Sequence, residues 1–358
     1  MHTSTISPRA RRGTVVITGA SAGVGRACAH RFARDGACIG LIARDPQALG
    51  EVKAEVESLG GYAFCAPADV ANAAAVFAAA QAIENALGPL EVWVNDAMVT
   101  VFSPVSKISA AEFRRVTEVT YLGAVYGTMA ALHHMRPRNR GTIVQVGSAL
   151  AYRGIPLQSA YCGAKHALRG FTDSVRTELI HEVSAINLTI VELPAVNTPQ
   201  FEWARTYMPY CPRPVPPVIE PEAAAAAIVH AASLPRREYW LGFTTVKLLL
   251  ANMLGPGILD RYLARNAYEA QATEQHVPYW REDNLDRPVP ALHRVRGAFG
   301  REATSSVLSF PGPLVRMLVP IGVCALAVCL GLAAGRVRNP RQRRPSNKLR
   351  RASISGST

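Results

Sequence analysis

Residues 14–25, TVVITGASAGVG, decide the fold of this chain. The five β-branched residues that open the stretch predict a strand, and residues 26–33 behind its glycines predict a helix. Gly19, Gly23 and Gly25 permit a tight turn and let the backbone approach a phosphate group. The start of the helix adds free N–H groups and a partial positive charge. The stretch therefore predicts a phosphate-binding turn between a strand and a helix.

A second set of residues predicts chemistry. Ser148 stands thirteen residues before Tyr161, and Lys165 follows Tyr161 by four. Residues four apart share one face of a helix, so the Lys165 ammonium can sit beside the phenol and favour its ionised form. A free phenol titrates near ~10 and is a poor acid or base without such help. The set predicts a hydride-transfer site, and the alternative is an accidental pair on an exposed helix.

Together these two motifs make the chain resemble the short-chain dehydrogenase/reductase family, in the branch with Thr-Gly-x-x-x-Gly-x-Gly, over residues 13–245. The resemblance implies an α/β fold, a Rossmann-type doubly wound parallel sheet in a single domain. It implies that Tyr161 is the acid/base, that Lys165 holds the nicotinamide ribose, and that Ser148 orients the substrate carbonyl. Assembly as a homodimer or homotetramer is a further implication of the resemblance.

The resemblance also implies which residues contact the cofactor. Beside Tyr161 and Lys165, they are Thr18, Gly19, Ser21, Ala22, Gly23, Val24, Gly25, Asp69, Val70, Asn95, Ala97, Pro194, Val196 and Thr198. The chain departs from the family at two places. Asn95-Asp96-Ala97-Met98 stands where Asn-Asn-Ala-Gly is usual, and Thr120 takes the place of an Asn that helps hold a water for proton relay. A Thr hydroxyl can still bind water, so Thr120 is counted among the catalytic residues.

The end of the second predicted strand bears on the choice of cofactor. An acidic residue there would hold a ribose 2′-hydroxyl, whereas an Arg accepts a 2′-phosphate. Ala43-Arg44 fits the phosphate, so NADP(H) is favoured over NAD(H). Asp45 before Pro46 predicts a helix N-cap, which gives this carboxylate a structural role. The alternative for Arg44 is a solvated loop charge.

Further strands are expected at residues 62–66, 90–95, 142–147 and 188–193, alternating with helices as in a parallel sheet covered on both faces. The residues between Gln200 and Pro221 combine Phe201, Trp203, Tyr207 and Met208 with five prolines. This composition predicts an apolar lid over a lipophilic alcohol or carbonyl substrate, with a stiff surface linker as the alternative.

The length beyond the family domain divides the chain further. The predicted segments are a basic N-terminal tail at 1–12, the catalytic domain at 13–245, a helical extension at 246–275, an irregular linker at 276–310, a membrane-spanning or membrane-embedded helix at 314–334 and a basic tail at 335–358. Residues 317–334 carry no charge and would span roughly 27 Å as a helix, just short of a bilayer core. A buried core helix is the alternative for this segment.

Charge, cysteines and histidines restrict the partners. Of the formal net charge of +13, eleven units lie in residues 1–13 and 335–358, which leaves +2 for the rest, so no nucleic-acid-binding face is expected. The basic tail is expected to bind anionic membrane lipid if it does not cross. Seven scattered cysteines fit reduced thiols in a cytosolic domain, and the histidine spacing predicts no metal site. The expected location is a membrane, with the catalytic domain on its cytosolic side.

Two other functions fit the same motifs. Met98 and Thr120 leave open a membrane-tethered, cofactor-binding scaffold or sensor with little turnover. The second alternative function is an isomerising or dehydrating enzyme that retains its cofactor.

Overall fold

An eight-stranded sheet organises the computed structural model, which describes residues 12–317. The strands lie in the order β3-β2-β1-β4-β6-β7-β12-β15, and all pairs are parallel except β12 with β15. Their bounds are β1 Arg12–Thr18, β2 Ala37–Ala43, β3 Tyr62–Pro67, β4 Leu90–Asn95, β6 Gly141–Ser148, β7 Ile186–Leu193, β12 Glu238–Leu241 and β15 Ser309–Pro311. The predicted strands are confirmed within two residues at each end, and so is the Rossmann-type α/β class.

Ten helices cover the sheet or extend beyond it among the described residues. They are α1 Gly23–Arg34, α2 Pro46–Ser58, α3 Ala73–Leu87, α4 Ala110–Thr117, α5 Gly123–Met135, α6 Ser159–His181, α7 Gln200–Trp203, α8 Pro221–Ser233, α9 Gly242–Leu254 and α10 Pro256–Asn266. A π-helical turn, Glu118–Leu122, joins α4 to α5. The remaining short strands are β5 Val101–Phe102, β8 Ala195–Val196, β9 Arg205–Thr206, β10 Tyr210–Pro212, β11 Val218–Ile219, β13 Ala272–His276 and β14 Ala303–Thr304.

The core forms two layers because successive strand residues face opposite sides of the sheet. Ile17 of β1 faces the cluster beneath α1, α2 and α8, whereas Val16 faces the cluster beneath α3 to α6. Both side chains are fully buried. Because the central strands run parallel, their carboxyl ends lie at one edge of the sheet. In open α/β sheets ligands bind at that edge.

Two helix starts form as their sequences predict. The Asp45 carboxylate accepts hydrogen bonds from the amides of Gln47 and Ala48 at the start of α2. At the start of α4, Ser109 and Glu112 bond to each other's backbone amides as a capping box. Local chemistry thus determines both starts.

The region after residue 275 differs from the expected linker. Residues 276–310 contain little regular structure, but β14 pairs with β11, and residues up to Gly312 form one compact unit. A segment of this region, residues 284–297, crosses the carboxyl edge of the sheet, and we call it the strap. The side chain of Leu285 in the strap is fully buried and packs in the core cluster beneath α3 to α6.

The second compact unit begins at Pro313, and residues 313–317 are its described part. Most of the predicted membrane segment, residues 318–334, and both basic tails except Arg12 lie outside the described residues. Within residues 12–317, no helix has the length and apolar character needed to cross a bilayer.

Candidate active site

A cavity of about 470 Å³ lies at the carboxyl edge of the sheet, where β1, β2, β4, β6 and β7 end. It brings together most residues of the predicted site. Those that line it are Gly19, Ser21, Ala22, Gly23, Val24, Arg44, Asp69, Val70, Ala97, Ser148, Tyr161, Lys165, Pro194, Val196 and Thr198. Thr18, Gly25, Asn95 and Thr120 do not line it.

The glycine turn is built by close backbone approach. Gly19 has φ +73°, and a Cβ there would lie 2.8 Å from the Cα of Ala97. A Cβ on Gly25 would lie 2.3 Å from the carbonyl oxygen of Gly19. The Thr18 hydroxyl accepts hydrogen bonds from the amides of Asp96 and Ala97, at 3.1 and 3.2 Å. Thr18 and Gly25 therefore shape the turn from outside the cavity.

Asn95 lies in the core instead of the cavity. Its side-chain amide donates to Gln145 and Thr128 at 3.0 and 3.1 Å, and its oxygen accepts from the indole of Trp93 at 2.8 Å. The side chain is 4% exposed. This corrects the expected cofactor contact, because Asn95 points at α5 and its hydrogen-bonding groups are already used there.

Thr120 is also turned away from the cavity. It lies in the π-helical turn, where its hydroxyl donates to the carbonyl of Val99 at 2.8 Å and accepts from the amide of Val99 at 3.0 Å. The side chain is 1% exposed. The expected role in holding a relay water is replaced by a structural one, since the hydroxyl ties the loop after β4 to the helix.

Ser148, Tyr161 and Lys165 meet at the centre of the cavity. Ser148 ends β6, whereas the other two lie on α6. The Tyr161 phenol and the Ser148 hydroxyl both line the cavity, and the Lys165 Nζ lies 5.7 Å from the centre of the Tyr161 ring. Lys165 donates to the carbonyl of Val146 at 2.7 Å. The structure thus brings the phenol, the ammonium group and the hydroxyl into one cavity.

The electrostatics of this centre differ from the expectation for Tyr161. Burial raises the pKa of the Tyr161 phenol above its ordinary value, although the hydrogen bond with Ser148 opposes the rise. Burial also lowers the pKa of Lys165 to about 8, although the negative charges of the Asp96 and Glu192 carboxylates oppose this shift. The phenol is therefore neutral at pH 7, since desolvation outweighs the neighbouring cation.

Asp96 is a second buried acid beside this centre. Burial raises the pKa of its carboxyl to about 7, while Lys165 and the Gly25 amide oppose the rise. A Cβ on Gly25 would lie 2.9 Å from its Oδ2. The departure from the family's Asn at this position thus places an ionisable group between the glycine turn and Lys165.

The strap closes the side of the cavity beside Arg44. The Arg44 guanidinium donates to the backbone carbonyls of Asn284 and Leu285, at 2.6 and 3.3 Å. His293 lies 3.3 Å from the Asp45 carboxylate. The strap residues that line the cavity are Asn284, Pro288, Val289 and His293. No sequence motif indicated this contribution.

The strap is also fastened to the glycine turn and to β8. The Gly23 amide donates to the Arg294 carbonyl at 3.0 Å, and Arg26 donates to the His293 carbonyl at 2.6 Å. At its far end the Gly297 amide donates to the Asn197 carbonyl at 3.1 Å. Backbone groups of the strap make these bonds.

The cavity also has an apolar part. The predicted lid contributes Phe201, Trp203 and Val215 to the lining, and Trp203 also contacts His293 of the strap. The other large apolar side chains are Leu150, Ile155, Leu248, Tyr262 and Leu263. Leu248 lies on α9 and Leu263 on α10, so the predicted helical extension forms part of the site.

Known proteins share these features. A family model described as short chain dehydrogenase matches residues 13–206. An uncharacterised oxidoreductase of Bacillus subtilis, YxnA, is 34% identical over 263 residues, which cover 73% of this chain and 74% of that protein. A fatty acyl-CoA reductase of Acinetobacter baylyi is 32% identical over 60% of this chain and 71% of its own length.

Among solved structures, an alcohol dehydrogenase from the archaeon Thermococcus sibiricus, complexed with 5-hydroxy-NADP, is similar. It is 27% identical with a TM-score of 0.54, over 62% of this chain and 91% of that chain. The fold, the cavity and these relatives agree. The chain belongs to the short-chain dehydrogenase/reductase family and is an oxidoreductase that acts on CH–OH or C=O groups with NAD(P).

Proposed function

We propose that this protein is an NADP(H)-dependent reductase of a lipophilic carbonyl compound, with Tyr161 as its acid. One observation carries the proposal: a single cavity is lined by Ser148, Tyr161, the Lys165 ammonium and the Arg44 guanidinium. A scaffold with little turnover would not need a phenol and a hydroxyl in one cavity beside a buried cation.

The residues present fit a dinucleotide. The turn packs so closely that a Cβ on Gly19 would meet the Ala97 backbone, and the helix behind the turn offers N–H groups to a pyrophosphate. Two of the five Arg44 N–H donors have partners in the strap, so the others remain for a 2′-phosphate. When bound, the nicotinamide ring supplies the hydride.

The side chains of the chain supply the proton and the charge. Tyr161 gives its phenolic proton to the substrate oxygen, and Ser148 holds that oxygen by its hydroxyl. Lys165 stabilises the phenolate that remains, through its positive charge. Because burial keeps Tyr161 protonated at neutral pH, the site favours reduction of a carbonyl over oxidation of an alcohol.

The apolar part of the cavity supports a lipophilic substrate. Phe201, Trp203, Leu248 and Leu263 present hydrocarbon surface, so burying an alkyl chain there is favourable by about 0.8 kcal/mol per CH₂. The similarity to a fatty acyl-CoA reductase points in the same direction.

We also propose that the protein associates with a membrane. Beside the apolar part of the cavity, α9 and α10 expose Met253, Leu254 and Ile258, each at least 66% accessible. Exposed apolar groups of this size mark interaction surfaces. Flotation of the full-length chain with lipid vesicles tests this, and Leu254→Asp with Ile258→Asp should weaken it.

Tyr161→Phe tests the catalytic proposal. It removes the proton donor without changing the ring, so we expect kcat with NADPH and a long-chain aldehyde or ketone to fall by about 10²–10⁴. NADPH affinity, measured by fluorescence, should stay within about twofold. Tyr126→Phe, outside the cavity, is the matched control. Turnover that survives Tyr161→Phe would contradict Tyr161 as the acid, whereas a wild-type protein that binds NADPH but does not consume it would support the scaffold or a cofactor-retaining isomerase.

A further inference from the structure

A buried carboxyl group lies directly behind the proposed active site. Glu192, in β7, is 0% exposed. Neither carboxyl oxygen has a partner that meets full hydrogen-bond geometry among the described residues, and the Ser148 amide is a donor close to the group. Burying an ionised carboxylate without a partner costs several kcal/mol, so such a group is protonated or has a function.

The sheet register places Glu192 against the catalytic residues. Glu192 pairs with Gly147, and a Cβ on Gly147 would lie 2.2 Å from its Oε2. Gly147 stands between Val146, whose carbonyl accepts from Lys165, and Ser148, which lines the cavity with Tyr161. The absence of a side chain at Gly147 therefore makes room for a carboxyl group next to both.

A path leads from Glu192 towards solvent. Glu238 is buried in the neighbouring strand β12. Trp240 of that strand pairs with Glu192, and Glu238 lies two residues before Trp240. The side chains of Glu238 and Glu192 therefore project from the same face of the sheet. The Tyr152 hydroxyl donates a short hydrogen bond to the Glu238 carboxyl. Tyr152 is half-buried, and the guanidinium of Arg169 stacks 3.9 Å from the centre of its ring.

The chain needs such a path because Thr120 is committed elsewhere. Its hydroxyl bonds both backbone groups of Val99 and does not reach the cavity. The buried acids lie on the other side of Lys165, in β7 and β12.

We propose that Glu192 stores the proton that restores Tyr161 after each reduction. The inference rests on the proposed function of Tyr161. After Tyr161 has given its proton to the substrate oxygen, Lys165 passes one N–H proton to the phenolate. Lys165 then receives the carboxyl proton of Glu192 through a bridging water, since no direct hydrogen bond joins the two side chains. As the net result, Glu192 changes from a carboxylic acid to a carboxylate, and Tyr161 changes from a phenolate to a phenol. A solvent proton then returns to Glu192 by way of Tyr152 and Glu238.

The electrostatics support this role. Burial and the neighbouring Glu238 raise the pKa of Glu192 to about 8, while the Ser148 amide, Lys165 and Arg169 oppose the rise. Burial lowers the pKa of Lys165 and raises that of Glu192, so the two values shift towards each other, which favours proton exchange between the groups. Glu192 is thus mostly protonated at pH 7. Above pH 8 Glu192 is mostly a carboxylate and has no proton to give. Its negative charge also disfavours a phenolate on Tyr161.

Glu192→Gln in the full-length protein tests the proposal, because Gln keeps the shape but cannot carry a proton. We expect kcat for reduction to fall about tenfold or more, with a larger solvent deuterium effect. The decline of kcat near pH 8 should disappear, whereas NADPH affinity should not change. Glu84→Gln, which removes a partly buried carboxylate of α3 that pairs with His134, is the control.

A measurement on the unliganded protein separates this inference from the proposed function. Infrared difference spectra should show a protonated carboxyl band that titrates near pH 8 and is absent from Glu192→Gln. If that variant does not fold, Tyr152→Phe, which keeps the ring but cannot pass a proton, should raise the solvent deuterium effect in its place. An unchanged pH profile and isotope effect, or no such band in the wild-type protein, would overturn the inference, even where Tyr161→Phe abolishes turnover.

Discussion

The glycine turn and the strap border the same end of the cavity, yet they are built differently. The turn, residues 18–25, depends on side chains being absent: a Cβ on Gly19 or Gly25 would meet backbone within 3 Å. The strap, residues 284–297, depends on its backbone carbonyls, which accept from Arg26, Arg44 and the Gly23 amide. The turn has a sequence signature because only glycine fits it. The strap has none because any residue supplies a carbonyl.

The comparison also separates local from tertiary stability. The turn follows from eight neighbouring residues and is held by β1 and α1 on either side. The strap reaches the site after more than two hundred further residues, and it stays there through packing of Leu285 and Val289. A change in the strap should therefore loosen one side of the cavity, whereas a change in the turn should deform the site itself.

The largest expected effect is on the anchor of the strap. Leu285→Ala removes a fully buried side chain and should lower the free energy of unfolding by about 2–5 kcal/mol, or detach the strap alone. Hydrogen exchange distinguishes the two, because the Gly23 amide donates to the strap and should exchange faster only when the strap leaves. Unchanged exchange and stability would mean that the strap is not held by packing.

The next effect is on the turn. Gly25→Ala places a Cβ 2.3 Å from the Gly19 carbonyl oxygen, so the backbone must shift at a cost of about 1–3 kcal/mol. We expect NADPH affinity, measured by fluorescence titration, to fall roughly 10- to 100-fold. Gly50→Ala, at a helix position with open space around it, is the control and should leave affinity unchanged. Equal affinities in both variants would contradict the close-packed turn.

The sequence predicts those parts of the site whose geometry is local. The strands, the Asp45 and Ser109 caps, and the meeting of Ser148 with Tyr161 all follow from spacing and residue type. The direction in which a side chain leaves a strand end depends on the layers packed there. For that reason Asn95, expected at the cofactor, lies in the core.

Other parts of the site had weaker signals. Glu192 interrupts the mainly apolar strand at residues 188–193. An acidic residue is rarely buried in a strand covered on both faces, so this position could have been predicted as a candidate functional residue. The strap lies in a region with neither periodicity nor motif, so only tertiary structure shows its contacts.

A smaller effect is expected at the far end of the strap. A Cβ in Gly297→Ala would lie 2.4 Å from the Thr198 carbonyl oxygen, but the strap can shift where the sheet cannot. We expect NADPH to dissociate about 3- to 30-fold faster in stopped-flow experiments, equivalent to about 1–2 kcal/mol. Gly300→Ala, where the nearest atoms are 3.6 Å away, is the matched control. Equal rates for both would show that this end of the strap does not restrain the cofactor.

The smallest effect is a dependence on pH. Burial lowers the pKa of His293 below its unfolded value of ~6.5, although Asp45 opposes the shift. Neutral His293 therefore stabilises the strap above pH ~6.5, and that stability is lost as the pH falls through this value towards the folded pKa. Hydrogen exchange at the Gly23 amide should speed up in acid, and His293→Gln should remove that dependence. The same acid response in the variant would contradict this origin.

The central claim is that Arg44, between the turn and the strap, selects NADP(H). Fluorescence titration of the full-length protein and of Arg44→Ala with NADPH and NADH tests it most directly. Charged hydrogen bonds contribute about 1.5–3 kcal/mol, so we expect wild type to bind NADPH about 10- to 150-fold more tightly than NADH. Arg44→Ala should lose that preference while it keeps its NADH affinity. Equal binding of both dinucleotides by wild type, or a preference unchanged in the variant, would contradict the account.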